Sequence, residues 1–433
     1  MASGEFTAAE WRKIRRTLAT DPAEFGLPER IYGSLVVASF NIRKLGTLQT
    51  HSSGTAGRDD RTMQFLADVC RHFDVIAVQE VMNDMTAIRR LRELLGDEYG
   101  LIVSDVVGRF PGERGNEERL AYLYNRRVVH RGDMVAEVST SRSRVLKTIA
   151  AYHAEFFDVM EADPTAQKWR EFTSAVAAAI EADQKPPRRL PSFKAEVDRF
   201  VQFIRAPFAA SFVVRAQPGA ERFEFLAVNA HLHFGRPVDR QNEAAALIEW
   251  ILGKVRTGDA DNVLLLGDLN FNFDDPAADL SRIRERYKQL GGLDTEAGRQ
   301  VFVSFPFIVG HPRPGQNHPP NKLFRTNVRL SQTYDQIGIF SRDERLRRYI
   351  ETTSDATHRT EQAWGILPTG PDYGVFNFTD LFCHALAGMP YAEMGRSERA
   401  ALVKRFEHNV SDHMPIWFRA PLPTAEQGFP TDI

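Results

Sequence analysis

Short apolar runs bounded by turn residues recur along this chain, and they predict buried strands. They occupy residues 35–40, 75–78, 120–124, 223–228, 263–266, 336–340 and 415–418. Between several of them, apolar residues recur at helical spacing, over residues 61–73, 85–95 and 240–255. Strands interleaved with such helices favour a layered α/β domain over an all-β one.

Two longer segments interrupt this alternation. Residues from about 139 to 203 combine a helical pattern with a Pro-rich basic run, and residues from about 342 to 407 combine charged helix with the aromatic run 373–378. We interpret both as insertions in a catalytic domain spanning 35–420, with an N-terminal helical extension at 1–34 and a C-terminal tail at 421–433. Such segments either cap a functional site or are solvated additions, and the sequence leaves both open.

Composition adds two limits to this picture. The formal net charge of the 433 residues is −2, so the overall charge does not indicate a nucleic-acid or membrane binder. A basic binding surface would have to be a local cluster of charges. Cys70 and Cys383 are too few for a disulfide framework, which fits a cytoplasmic location. The N-terminus lacks a signal-peptide core and no apolar run is long enough for a membrane span, so none is predicted.

Carboxylates and carboxamides follow several predicted strands. Asp268 and Asn270 come after the apolar run 264–266 and Gly267, and their spacing points both side chains the same way. Asn41 ends the first strand and Glu80 the second. Asp and Glu bind hard cations such as Mg²⁺, and Asn binds a phosphoryl oxygen without added charge repulsion. Each residue alone is also compatible with a turn, a helix cap or an exposed charge.

Two histidines occupy similar positions. His231 lies at a strand end, and Asp412 with His413 immediately precedes the last strand. Histidine transfers protons near neutral pH when a carboxylate fixes its tautomer, and Glu118 and Asp335 are the candidate partners. His233 is a candidate for a supporting contact.

Together these residues form an ordered series that resembles the endonuclease/exonuclease/phosphatase family. The motifs that carry the resemblance extend over about residues 35–418 and leave the two insertions unmatched; they are Ser39-Phe40-Asn41, Gln79-Glu80, Asn229-Ala230-His231-Leu232, Gly267-Asp268-Leu269-Asn270, Tyr334-Asp335-Gln336-Ile337 and Ser411-Asp412-His413-Met414-Pro415. The resemblance implies a four-layer α/β sandwich of two packed mixed sheets flanked by helices.

The resemblance also implies roles for the site residues. Glu80 would bind Mg²⁺ or Mn²⁺, with Ca²⁺ a further candidate, and Asp412 would assist that metal. Asn41 and Asn270 would hold the scissile phosphate. His413, paired with Asp335, would activate water, Asp268 would position the water or stabilise the transition state, and His231 would protonate or stabilise the leaving oxygen.

Within the family, the chain is most similar to deoxyribonuclease I-like nucleases. Glu118 matches the Glu that orients the leaving-group histidine, Arg205 resembles a phosphate-contacting Arg, and Tyr334 with Asp335 matches a Tyr-Asp pair. Met82 and Asn116, however, stand where those nucleases place an Arg and a Tyr that enter the DNA minor groove. Double-stranded reading of that kind is therefore not expected.

We expect a metal-dependent nuclease with DNA as the favoured substrate and unknown protein partners, and RNA, single-stranded DNA or a smaller phosphodiester stay open. Candidates for the groove lining are basic: Arg43, Lys44, Arg109, Arg114, Arg188 and Arg189. An alternative is a phosphoesterase acting on a phospholipid head group or small phosphoester, for which the run 373–378 would supply an exposed apolar element. A third reading is a binding protein that kept the fold but lost catalysis.

Overall fold

The computed structural model describes residues 5–48, 57–106, 117–155, 158, 164–187, 202–235, 237–271, 301–309, 325–343, 346 and 373–423. The described helices are Ala8–Thr20 (α1), Asp60–Cys70 (α2), Thr86–Leu95 (α3), Arg142–Ala151 (α4), Pro164–Glu181 (α5), Pro237–Thr257 (α6), Pro306–Val309 (α7), Phe378–Ala387 (α8) and Arg396–Asn409 (α9). The described strands are Ser34–Leu45 (β1), Val75–Met82 (β2), Tyr99–Val103 (β3), Glu118–Asn125 (β4), Val129–Glu137 (β5), Phe208–Val214 (β6), Phe223–His231 (β7), Asn262–Asp268 (β8), Phe302–Ser304 (β9), Asp335–Ser341 (β10), Tyr373–Val375 (β11) and Ile416–Pro421 (β12).

The strands form two six-stranded mixed sheets. The first sheet has the order β11-β12-β1-β2-β4-β3 and the second the order β5-β6-β7-β8-β10-β9. One pair in each sheet is parallel, β1 with β2 and β7 with β8. The other neighbours are antiparallel, so strands of both directions meet at each end of a sheet.

The two sheets pack face to face and helices cover their outer faces. Across the interface, the rings of Tyr122 on β4 and Phe212 on β6 lie 5.4 Å apart, and the Gln79 amide donates to the Asn229 oxygen at 2.7 Å. Helix α6 buries Leu247 and Ile251 on the outside of the second sheet. These layers confirm the four-layer α/β sandwich, and burial of their apolar faces supplies the main stabilisation.

The N-terminal helix belongs to this core. A capping box starts α1, because Thr7 Oγ1 accepts the Glu10 N–H at 3.2 Å while the Glu10 carboxylate accepts the Thr7 N–H at 2.7 Å. Its buried Trp11 ring lies 5.5 Å from Phe65 on α2 and 5.8 Å from Phe382 on α8. Helix α1 therefore ties the outer helices of the first sheet together.

Every strand and helix predicted from the periodicity is present, and the strands that the periodicity missed are mostly sheet edges. Strands β3, β5, β9 and β11 are the edge strands. Along β5, exposure changes from one residue to the next, and β9 and β11 span three residues each. Edge strands lack the continuous apolar run that a doubly covered strand shows.

The aromatic run 373–378, considered above as an exposed apolar element, is buried. Tyr373 and Val375 lie in β11, and Phe376 and Phe378 are fully buried beside α8. Residues 373–409 thus complete the first sheet and cover it, rather than forming a solvated addition. Most of residues 342–372 and all of 188–201 lie outside the described part of the chain. Among the described helices, none is long and apolar enough to cross a membrane.

Candidate active site

The polar strand-end residues meet at one end of the two sheets. The parallel strands β1, β2, β7 and β8 end there, and the antiparallel strands β4, β10 and β12 begin there. Asp268 is the register partner of both His231 and Asp335. Because directly paired residues project to the same face of a sheet, these three side chains are neighbours.

Strand β8 requires a glycine at position 267, one residue before its end. A Cβ placed there would lie 1.9 Å from the carbonyl oxygen of Ala230. Asn270 follows in the left-handed region, with a φ of 54°. Its N–H donates to Asp268 Oδ1 at 2.9 Å and its amide donates to the Leu232 carbonyl at 2.8 Å. The turn thereby fixes the Asp268 carboxylate and joins the ends of β7 and β8.

The second oxygen of Asp268 is the centre of the site. Asn41 Nδ2 donates to Asp268 Oδ2 at 3.1 Å. The Nε2 atoms of His231 and His413 each lie 3.6 Å from the same oxygen. These groups come from both sheets and from chain positions as far apart as 41 and 413, so the fold creates the cluster.

His413 is held between two carboxylates. Its Nδ1 lies 2.9 Å from Asp335 Oδ2, and its backbone N–H donates to Ser411 Oγ at 3.1 Å. Burial disfavours the charged imidazolium, but the negative charges of Asp335 and Asp268 outweigh burial and raise the pKa of His413 well above its usual value. The surroundings therefore stabilise a proton on this ring.

His231 has its own carboxylate partner. His231 Nδ1 lies 2.9 Å from Glu118 Oε2, which also lies 2.8 Å from Arg205 Nε. A second nitrogen of Arg205 donates to the Leu232 carbonyl at 3.2 Å. Arg205 is nearly buried, with 8% of its surface exposed. The structure thus brings Arg205 to the Glu118 side of His231, where it holds the carboxylate that orients the ring.

Glu80 projects from a bulge rather than from a strand end. Strand β2 continues to Met82, and its pairing with β4 shifts between Val78 and Val81. Glu80 adopts the left-handed region with a φ of 58°. A bulge changes the direction of a side chain within a sheet. Here it turns the Glu80 carboxylate toward Asn41, whose Nδ2 donates to Glu80 Oε1 at 3.1 Å.

The oxygen atoms beside Glu80 suit a hard divalent cation. Among the described residues, Asn41 Oδ1 and Asp412 Oδ1 are buried and have no hydrogen-bond partner. Burial raises the pKa of Asp412, His413 and Arg43 oppose that rise, and the nearby charge of Glu80 adds to it. Two carboxylates and a free carboxamide oxygen form the donor set that Mg²⁺, Mn²⁺ or Ca²⁺ prefers.

A second group of possible ligand atoms overlaps the histidine cluster. One atom each of Asp268, Asp335 and His413 lie within 4.8 Å of one another. Asp335 and His413 already pair with each other at 2.9 Å, however. A metal in this group would therefore have to displace that contact, whereas the oxygens near Glu80 are available without such a change.

Arg58 is a site residue that the sequence analysis missed. It is nearly buried and donates to the Lys44 carbonyl at 3.0 Å, to the Val410 carbonyl at 3.0 Å and to the Arg43 carbonyl. Burial lowers the pKa of Arg58 to about 10, and the charge of Glu80 opposes that shift. Arg58 therefore remains protonated at neutral pH and joins the end of β1 to the loop before β12.

Glu243 on α6 is a second residue that was missed. Its carboxylate accepts the Ile204 N–H at 2.8 Å and the His233 N–H at 2.7 Å. Burial raises the pKa of Glu243, and these two hydrogen bonds oppose the rise. Glu243 therefore fixes the segment before Arg205 to the segment after His231. In the sequence, Glu243 is one of several polar residues in the first part of a helix, with nothing to distinguish it.

The groove candidates are divided by the structure. Arg43 lies 3.5 Å from the carboxylates of Glu407 and Asp412, and Lys44 is exposed with its backbone N–H donating to Glu80 Oε2 at 3.0 Å. Met82 is half-buried near the start of β4. The remaining candidates lie outside the described residues, as does Asn116; these candidates are Arg109, Arg114, Arg188 and Arg189.

Comparison of the structure with solved structures gives low similarity scores. An endonuclease/exonuclease/phosphatase family protein from Bacteroides thetaiotaomicron is 13% identical over 89% of this chain and 97% of its own, with a TM-score of 0.40. A humanized D. rerio TDP2 is 12% identical over 89% and 98%, with a TM-score of 0.40. The human Nocturnin catalytic domain is 11% identical over 90% and 95%, with a TM-score of 0.40. No curated protein matches the chain in sequence.

The family assignment comes from a family model. The model of the endonuclease/exonuclease/phosphatase family matches residues 38–413. That range begins at β1, just before Asn41, and ends at His413, so it includes every site residue described above. The chain therefore belongs to the endonuclease/exonuclease/phosphatase family of hydrolases.

Proposed function

We propose that this chain is a metal-dependent phosphodiesterase that hydrolyses phosphodiester bonds of nucleic acid, with DNA as the favoured substrate. The observation that carries the proposal is the geometry at Asp268 Oδ2, where two histidines approach one oxygen at 3.6 Å. Each histidine has a separate carboxylate at 2.9 Å from its other ring nitrogen. A hydrolase needs one group to take a proton and another to give one, and this arrangement supplies both.

His413 is the proposed base. Asp335 fixes its Nδ1, which leaves Nε2 directed toward Asp268. A water between the neutral His413 ring and the phosphorus would lose a proton to Nε2, and the charges of Asp335 and Asp268 would stabilise the resulting imidazolium. Because the same charges raise the pKa of His413, the neutral ring becomes more populated as the pH rises, and cleavage is expected to increase with pH. Asp268 would orient that water through its second oxygen.

His231 is the proposed acid for the leaving oxygen. Glu118 lies 2.9 Å from its Nδ1 and orients the ring, and Arg205 holds Glu118 in place from the other side. Asn41 and Asn270 are proposed to hold the phosphate through their side-chain amides, for which the Asn41 amide exchanges its contact with Asp268 or Glu80 for one with the substrate. Arg205 was expected to contact the phosphate as well, and we propose that its remaining guanidinium nitrogen does so once substrate is bound.

Glu80 and Asp412 are the proposed metal ligands, with Asn41 Oδ1 beside them. A divalent cation bound there, with Mg²⁺ first, Mn²⁺ second and Ca²⁺ as a further candidate, would neutralise charge on the phosphoryl oxygens. Lys44 supports this group by donating its N–H to Glu80 Oε2. The free acceptors Asn41 Oδ1 and Asp412 Oδ1 are the observation that supports a metal at this place.

The alternative substrate class, a phospholipid head group, has less support. It required the aromatic run 373–378 to be exposed, and that run is buried in the core. A small soluble phosphoester remains compatible with the same chemistry. We also retain as proposals a catalytic domain over residues 35–420 and a cytoplasmic location, the latter on the strength of the two free, buried cysteines.

A digestion panel tests the proposal directly. Supercoiled, linear and single-stranded DNA, RNA, bis(p-nitrophenyl) phosphate and phosphatidylcholine vesicles are incubated with the protein in Mg²⁺, in Mn²⁺ and in EDTA. We expect metal-dependent cleavage of nucleic acid that leaves 5′-phosphates, and its loss in His413→Ala and Asp268→Asn. Cleavage of nucleic acid at an undiminished rate in both variants, or release of lipid head groups with no nucleolytic activity, would overturn the assignment.

A further inference from the structure

An exposed aromatic ring stands at the rim of the histidine cluster. Phe234, in the segment after β7 that follows His231, has 65% of its surface exposed. Its ring centroid lies 6.4 Å from that of Tyr334, and the two planes are perpendicular. The Tyr334 ring in turn lies 6.2 Å from His413. A chain of rings therefore leads from the proposed base to an open aromatic surface.

The backbone just before Phe234 is held by a hydrogen bond. The His233 N–H donates to Glu243 at 2.7 Å, which ties the preceding residue to α6. On the following side, the imidazole of His233 covers Gly235, where a Cβ would lie 1.9 Å from its Nε2. The Phe234 ring therefore follows an anchored residue and still lies in solvent, which core packing does not explain.

A lipid surface has little support at this ring. Of the exposed large apolar residues in the described structure, Ile204 is the one that Glu243 ties to the same rim. Two apolar side chains are too few for a membrane-inserting surface. Arg240 on α6 donates to the Asn270 carbonyl and brings positive charge to this edge.

We propose that Phe234 is a stacking platform for an unpaired nucleobase next to the scissile phosphate, which makes single-stranded nucleic acid the substrate of this site. The inference rests on the proposed nuclease function and names its substrate class. A base within a duplex has both faces covered by its neighbours, whereas an unpaired base can offer one face to an aromatic ring. Stacking of this kind tolerates any base, because every base has a π face.

The experiment combines two changes: loss of the Phe234 ring from the protein and loss of the base beside the cleaved phosphate from the substrate. Single-stranded oligonucleotides with bases, or with abasic spacers flanking the cleaved phosphate, are digested by wild type, Phe234→Ala and Phe234→Trp in Mg²⁺. Wild type should cleave the base-containing strand with a higher kcat/KM than the abasic one, by roughly 5- to 100-fold, the range that stacking of one base supports. In Phe234→Ala this ratio should fall toward one, and Phe234→Trp should restore it.

A binding readout separates failure of this inference from failure of the proposed function. Oligonucleotide binding is measured by quenching of the introduced tryptophan in Phe234→Trp, with a second variant, Tyr32→Ala, as control for loss of an exposed aromatic far from the site. Tyr32 is 73% exposed and precedes β1, so its loss should leave the wild-type preference intact.

The outcomes distinguish the two proposals. Wild-type cleavage with the same base-to-abasic ratio in Phe234→Ala overturns the stacking platform and leaves the nuclease standing. Base-dependent tryptophan quenching in a protein that cleaves no nucleic acid supports the platform and overturns the nuclease. Loss of phosphatidylcholine-vesicle binding in Phe234→Ala, with an unaltered base-to-abasic ratio, assigns the ring to a membrane surface instead.

Discussion

His231 and His413 approach the same oxygen of Asp268, and each Nε2 lies 3.6 Å from it. The two rings come from different sheets, yet each has its Nδ1 2.9 Å from a buried carboxylate. The proposed mechanism, with one proton acceptor and one proton donor, requires two such rings on either side of a single anchored carboxylate. The rings are distinguished by their partners, because Glu118 also contacts Arg205 and Asp335 does not show such a contact among the described residues.

Removal of the proposed base should reduce the chemical step. We expect His413→Ala to lower kcat by about 10²- to 10⁴-fold, the usual contribution of a positioned acid or base. Asp335→Asn should lower kcat by less, and the double variant should be little worse than His413→Ala, because the pair acts as a unit. Single-turnover cleavage of a single-stranded oligonucleotide measures these effects. The control is His384→Ala on α8, which should keep kcat within about twofold; equal losses in both histidine variants would point to general disruption.

Metal binding should stabilise the fold through Glu80. A ligand that binds only the native state raises its free energy of unfolding by about 2.7 kcal/mol at a concentration of 100 times its Kd. Wild type should therefore show a Tm that rises with Mg²⁺ or Mn²⁺, and Glu80→Gln should lose most of that rise. Differential scanning calorimetry at graded metal concentrations measures it. Glu93→Gln, an exposed change on α3, should keep the wild-type response, and an identical response in Glu80→Gln would place the metal elsewhere.

Loss of the Arg58 side chain should destabilise the protein. Arg58→Met would leave the carbonyls of Lys44 and Val410 without their donor and would remove a positive charge near Glu80. We expect a loss of about 3 kcal/mol in the free energy of unfolding, as for other buried charged donors. Urea denaturation measures this loss.

The control is Arg61→Ala, which removes an exposed Arg whose ion pair with Asp59 is 3.9 Å long. Its effect on the free energy of unfolding should stay below about 0.5 kcal/mol. A similarly small effect of Arg58→Met would show that Arg58 does not hold the end of β1 to the loop before β12.

Two glycine substitutions should have opposite effects. In Gly267→Ala the new Cβ would collide with the Ala230 carbonyl, so the turn that carries Asp268 must move, at a cost of roughly 3 kcal/mol or more in stability. In Gly253→Ala, inside α6, the added methyl meets open space, and the helix should gain about 0.5–1 kcal/mol. Denaturant melts of both variants give the comparison. Tolerance of alanine at position 267 would contradict the close approach of β7 and β8 at this point.

The layered fold and most of the side chains that meet at the candidate site could be predicted from the sequence, because both depend on short local patterns. An apolar run followed by Asp268 or His231 is visible without knowledge of the rest of the chain. The bulge at Glu80 was not visible, because it depends on how β2 pairs with β4. Arg58 was hidden for a similar reason, since one of its acceptors lies 352 positions away along the chain.

Burial also corrected a judgement that composition alone invited. The aromatic run 373–378 looked suited to a membrane surface, but β11 adds it to the edge of the first sheet and α8 covers it. Phe234 is a single aromatic residue with no pattern around it in the sequence, yet its ring is exposed to solvent. The hydrophobicity of a side chain predicts that it is usually buried. The packing of the folded chain decides which individual aromatic ring remains exposed to solvent.

The position of β12 has a consequence for the time at which activity begins. This strand lies between β1 and β11, and the residues just before it carry Asp412 and His413. During synthesis, Glu80 and Asp268 therefore leave the ribosome long before Asp412 and His413. Under the roles proposed here, a chain that ends before residue 412 should lack both the second metal ligand and the base, so it should be inactive until residues 412–421 have joined the sheet.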